Sequence, residues 1–277
     1  MPYTWLFVLF LLPFLIVLKI SFADPVIAQP PFTPLFGGET GFFVTFENYR
    51  FLVQDNLYWL SYLKSLRVAL ISTGLCLLIG YPMAYAIARS QAGARNILLL
   101  LVVVPFWTSF LLRVYAWTGL LQTGGLINDS LLALGVIDAP LKLLYTDFAI
   151  YLGIVYSYLP FMILPLYASL ERLNIEFEEA ASDLGASPMR TFVDVTLPLS
   201  SPGILAGCLL VFIPALGEFV IPSLLGGLDS LMIGRQLYDE FFQNRDWPVA
   251  SAVAVTLLMV LVVPIVIFQR SRTRALQ

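Results

Sequence analysis

Glu218 is the one carboxylate set well inside a long apolar stretch of this chain, and its surroundings favour an irregular backbone. Gly217 precedes it, and Pro214 and Pro222 flank it. An ionisable side chain in such a stretch is there for a function or for a partner. A proline-interrupted helix frees carbonyl oxygens that can line a polar cavity. A carboxylate among such carbonyls is a transient site for an ammonium group. The obvious counter-ion is Arg113, which lies at the same depth in its own apolar stretch, about 24 Å along at 1.5 Å per residue. A permanent Arg113–Glu218 ion pair is therefore the competing reading of Glu218. The two coexist if a visiting cation displaces the arginine.

Other chemistry is scarce. Histidine is absent, and Cys76 and Cys208 lie in apolar runs, where they read as small core residues. A transition-metal centre is therefore not expected. The lysines are Lys19, Lys64 and Lys142, and each follows a leucine, so no glycine-lysine phosphate loop is present and the chain does not bind ATP in that way. There is no HExxH and no evident nucleophile–base pair, which argues against an enzyme. Phe106, Trp107, Tyr115, Trp117, Tyr156 and Tyr158 lie in apolar stretches. Such aromatics are mostly packing or interfacial residues. Trp107, Tyr115 and Tyr156 are carried forward as candidates for facing a polar pathway.

The elements that position these residues follow from composition. Of 277 residues, 59% are hydrophobic and 12% charged; a soluble domain carries roughly twice that charged share. Apolar runs of the length a bilayer requires occupy about 4–23, 65–88, 97–121, 147–169, 202–225 and 249–268. The expectation is an all-α integral membrane protein of six transmembrane helices, since lipid offers the backbone no hydrogen-bond partner. Met1-Pro2-Tyr3 supplies no basic region and no cleavage site follows, so the first run reads as a span and not a removed signal. Arg89, Arg95, Arg172, Arg190, Arg270, Arg272 and Arg274 crowd one set of connections. The positive-inside rule puts both termini and residues 170–201 in the cytoplasm. The opposite connections hold Asp24, Glu39, Glu47, Asp55, Asp129, Asp138, Asp229, Asp239, Glu240 and Asp246, an acidic outer mouth that suits a cation but also follows from topology alone.

Between the fourth and fifth runs lies a polar segment with ordered local chemistry. Asn174 is placed to cap a helix whose first turn carries Glu176, Glu178 and Glu179. Gly185 sits where a left-handed residue ends such a helix. Ser187-Pro188 restarts it, Pro198 is expected to stop it, and Ser201-Pro202 opens the fifth span. The spacing Glu179-Ala180-Ala181, Gly185 and Val195-Thr196-Leu197-Pro198 resembles the cytoplasmic coupling loop of ABC-importer permeases. The resemblance implies a type I importer permease architecture and a helix that docks on a separate ATPase. Glu179 would offer a charge, Ala180 and Ala181 close seating, Gly185 the turn, and Leu197 and Pro198 the end of the motif.

A second run, VFIPALGEFVIPSLLGGLDSLMIGRQLYDEFFQNRDWPVASAV over 211–253, is similar to the permeases of spermidine/putrescine importers, most of all to the putrescine type. PFWTSFLLRVYAW over 105–117 and the opening of the chain share the likeness. It runs over essentially the whole chain, departing at a short N-terminus. It implies a second related permease, an ATP-binding-protein dimer and a periplasmic polyamine-binding protein as partners, in a bacterial inner membrane. No cofactor is held by this chain, ATP being bound by the partner, and no nucleic acid is expected. Asp239, Glu240 and Asp246, in the last outer loop, are the candidate outer gate or docking surface. An importer of another small cation is the alternative. A proton- or sodium-coupled carrier is a more distant one, since it predicts inverted repeats and more buried titratable groups.

Overall fold

A computed structural model describes residues 4–5, 7–34, 44–227 and 230–275, with side chains to residue 262. Glu39, Asp229 and the side chains of Arg270, Arg272 and Arg274 lie outside that description. Regular structure among the described residues is helical, with one isolated bridge between Pro25 and Phe32. The helices are α1 Phe7–Ile20, α2 Glu47–Gln54, α3 Asn56–Ala88, α4 Ala92–Val103, α5 Phe110–Leu121, α6 Leu126–Ala133, α7 Asp147–Glu171, α8 Glu176–Asp183, α9 Pro188–Leu199, α10 Ser201–Leu216, α11 Val220–Leu225, α12 Ile233–Tyr238 and α13 Trp247–Ala275.

By themselves α3 and α7 are long and apolar enough to cross a membrane. The expected span over 97–121 is broken instead. A 3-10 turn at Val104–Trp107 ends α4, and the two sides of the break differ in direction by 89°. Pro105 removes a backbone donor there, and Thr108 and Ser109 are extended in ψ. The span expected over 202–225 ends at Leu216 and resumes as α11. Phe7–Ile20 and Trp247–Val262 are shorter apolar helices. Pro160 and Pro165, by contrast, sit inside an unbroken α7.

The chain divides into two compact units. One comprises Met1–Ser65 with Leu231–Gln277, and the other Leu66–Ser230. In the first, Leu52, Tyr58, Ile233, Val249, Ala252 and Val253 form a core. The buried Asn48 ties α2 to the end of α1 by donating to the carbonyls of Ser21 (3.0 Å) and Ala23 (2.8 Å). In the second unit the core gathers Cys76, Tyr81, Met162, Ile163, Leu166, Leu170 and Val211.

Here α7 and α10 approach closely because α10 presents glycines where they touch. A Cβ on Gly203 would stand 2.5 Å from Ser169 Cβ and 2.8 Å from the Pro165 carbonyl, and one on Gly207 would stand 2.7 Å from Met162 Sδ. Gly203 and Gly207 are four apart, the small-xxx-small spacing of helix pairs in membranes.

Candidate functional site

The polar segment folds in the second unit. Asn174 works just outside α8: its Oδ1 accepts from the Glu176 N–H (3.2 Å), and its Nδ2 donates to Glu176 Oε2 (2.7 Å). At the other end, the Gly185 N–H reaches the Ser182 carbonyl (2.9 Å) and the Ala186 N–H reaches the Ala181 carbonyl (3.0 Å). This is the paired closure of a Schellman motif. Gly185 has φ +84°, and nothing lies within 4 Å of where its Cβ would be. Glycine is needed for backbone freedom and not for space.

Ser187 is extended ahead of Pro188 at the start of α9. Glu179 and Ala180 face outward, Ala181 is half-buried, and Leu184 is 89% exposed. Ala181, Leu184, Gly185, Arg190, Thr191 and Asp194 line a cleft of about 350 Å³.

Pro198 does not stop the helix. A π-turn at Phe192–Thr196 runs into Leu197–Leu199, so Leu197 and Pro198 are helical and exposed. Pro198 lies in the first turn after that shift, where its missing N–H leaves no bond unmade. The change of direction, 66°, falls at Ser200.

Glu178, one of three acids in the first turn of α8, is the residue that turns inward. It pairs with Arg89 and accepts from Thr196 Oγ1 at 3.0 Å. Adjacent helical residues point about 100° apart, so Glu178 and Glu179 cannot share a face. The only signal in the sequence was Arg89, a basic residue at a span end.

Glu218 lies at the break between α10 and α11 and is buried, at 7% exposure. Its Oε1 accepts from the N–H groups of Val220 (3.0 Å) and Ile221 (3.4 Å), and its Oε2 accepts from the Tyr158 hydroxyl of α7. No Arg113–Glu218 ion pair is formed. The Arg113 guanidinium lies over Phe106 (5.3 Å) and Phe110 (5.9 Å), and its Nε and Nη1 are buried without a hydrogen-bond partner among the described residues. The start of α11 places two donors next to Glu218 in the chain, and Tyr158 supplies a third, so the carboxylate is satisfied locally.

Among the candidate aromatics, Tyr158 and not Tyr156 reaches Glu218. Tyr156 packs edge-on against Trp117 (5.4 Å), and Trp107 and Tyr115 are exposed.

The gate or docking candidates Asp239, Glu240 and Asp246 belong to the first unit, and Glu240 is not a surface group. It is buried and accepts from Tyr58 (2.7 Å), Gln236 (3.1 Å) and Asn244 (2.9 Å). It lies in a π-turn at Asp239–Gln243, and of the outer gate or docking role expected for it, its burial removes the exposed docking face. Asp239 faces Arg235 at 3.9 Å and accepts from Gln243 at 2.6 Å. Asp246 caps α13 through the Val249 N–H at 3.0 Å. Burial raises the Asp246 carboxyl, the Val249 N–H opposes this, and the Glu240 charge reinforces it. Among the described residues, no three His, Cys, Asp or Glu side chains are placed to hold a metal.

Residues 77–271 match the family described as binding-protein-dependent transport system inner membrane component. The chain belongs to that family. This inner membrane component is 44% identical over 227 residues to the spermidine/putrescine transport system permease protein PotB of Escherichia coli K12, covering 82% of each chain. It is 40% identical to the PotB of Haemophilus influenzae, over 97% of this chain and 91% of that one. It is 32% identical to a molybdenum transport system permease protein, ModB, of Mycobacterium bovis, over 74% of this chain and 75% of that one.

A bacterial ABC transporter involved in the import of the acidic polysaccharide alginate shares the fold, with a TM-score of 0.69, 19% identity and coverage of 99% and 92%. By its family and its 40–45% identical relatives the component is a membrane permease subunit and not itself an enzyme.

Proposed function

We propose that this permease forms one half of the translocation pathway of an ATP-driven importer of polyamines, putrescine or spermidine. The observation that carries the cargo class is 40–45% identity to spermidine/putrescine permeases. Fold cannot carry it, since a transporter of the same fold takes an acidic polysaccharide. On this reading the chain has six spans, with both termini and residues 170–201 in the cytoplasm. It works with a second permease, an ATPase dimer and a periplasmic binding protein.

The proposed cycle is alternating access. A loaded binding protein docks on the outer loops. ATP bound by the partner closes the motor, which moves α8 through Glu179, Ala180, Ala181 and the Gly185 turn. Cargo passes beside the broken fifth span. Glu218 supports the cationic cargo chemically: among the described residues this buried carboxylate is held by neutral donors only. An ammonium group can replace the Tyr158 hydroxyl at Oε2 and bring the charge that the site lacks.

The test is uptake of radiolabelled putrescine and spermidine into vesicles holding the complete complex. Saturable, ATP-dependent accumulation of one or both is expected. Accumulation of neither, or accumulation by this chain without the ATPase, overturns the reading.

A further inference from the structure

The coupling reading assigns α8 to a partner ATPase, and the following rests on that assignment. Spans α7 and α10 are continuous with the loop and move with it by covalent connection. A third connection is not covalent and runs through one carboxylate. Glu178, with its side chain about one-fifth exposed, accepts from Arg89 at the cytoplasmic end of α3 and from Thr196 in the π-turn of α9. The Arg89 guanidinium lies over the Tyr85 ring at 5.5 Å. One turn back, Tyr81 meets Phe192 of the π-turn edge-on at 5.5 Å, and its hydroxyl shares a hydrogen bond of 2.8 Å with Ser200 at the head of α10.

The loop has two further ion pairs: Arg95–Glu171, which joins α4 to the end of α7 at 2.9 Å with Glu171 more exposed than Glu178, and Arg190–Asp194, an exposed contact within one helix at 3.6 Å. A charge-assisted bond between partly buried groups is stronger than an exposed one, and fixes geometry as well as energy.

We propose that Glu178 and Arg89 form the pin that transmits movement of α8 into α3. A push from the motor then displaces the second span as well as the two attached to the loop. Glu179 meets the partner, and Glu178, one residue away on a different face, meets this chain's own bundle. Both residues of the pin are positioning residues and touch neither cargo nor nucleotide.

The experiment measures ATP hydrolysis and putrescine uptake in the same vesicles with the complete complex. Glu178→Gln keeps an acceptor for Thr196 and loses the charge; Arg89→Gln loses the cation. Both are expected to assemble and hydrolyse ATP, with uptake per ATP falling by about tenfold or more. The exchanged pair Glu178→Arg with Arg89→Glu is expected to recover part of that ratio. An unaltered ratio in both single variants overturns the pin, as does lost assembly that the exchange fails to restore.

Glu179→Lys and Gly185→Val are run in parallel. If these keep the ATPase bound and transport normal, the coupling reading itself fails. If they lose the ATPase while Glu178→Gln and Arg89→Gln transport normally, only the pin fails.

Discussion

Glu218 uses Oε1 to cap α11 and Oε2 to receive Tyr158, so its two atoms can be tested apart. Glu218→Gln keeps a carbonyl oxygen for the cap and loses the charge. Assembly and thermal stability are expected to hold while polyamine uptake is abolished; lost assembly with the amide would instead mark a structural role. Tyr158→Phe leaves Oε2 buried without its donor, at a cost of about 1–3 kcal/mol, read as a lower Tm in detergent.

Asp246 has a different signature. Its carboxyl lies above the ordinary 3.8, so it binds its proton more tightly folded than unfolded. The stabilisation is present when the group is protonated and is lost as pH rises through the raised value. Asp246→Asn keeps the helix cap. It is expected to leave Tm at neutral pH unlowered and to remove the loss of stability that sets in as pH rises above the ordinary 3.8.

At the scale of elements, the α7–α10 contact rests on glycines and not on large side chains. Gly203→Ala places a Cβ against the Pro165 carbonyl, which cannot rotate away. It is expected to destabilise by about 1–3 kcal/mol. Gly74→Ala, with nothing within 4 Å, is expected to be neutral or mildly stabilising. Thermal melts of the two purified variants check the contrast. The spacing of Gly203 and Gly207 was available in the sequence, but it marks a packing face only once α7 is known to be the neighbour. Pro198 shows the opposite case. Its residue type forecasts a stop, and the π-turn before it shifts the register so that none occurs.

For the whole molecule, the basic residues give an orientation that labelling can check. With Cys76 and Cys208 replaced by Ala, Lys142→Cys is expected to react with a membrane-impermeant maleimide from outside intact cells. Arg190→Cys is expected to react only after permeabilisation. The reverse pattern would invert the orientation and remove α8 from reach of a cytoplasmic motor. That the fold also serves an acidic polysaccharide transporter means cargo charge is decided by side chains mounted on a shared helical frame.

The sequence by itself determined the membrane class, the position of the polar loop between α7 and α10, and the turn at Gly185. Each depends on composition or on backbone preferences within a few residues, which act before any packing. Tertiary structure decided which acids turn inward and what they meet. Glu178 finds Arg89 across 89 positions, Glu218 finds Tyr158 across 60, and Glu240 finds Tyr58 across 182. Equal depth suggested Arg113 for Glu218, yet depth fixes only one coordinate. Rotation of the helices about their axes, set by close contacts such as Gly203 on α7, fixes the rest.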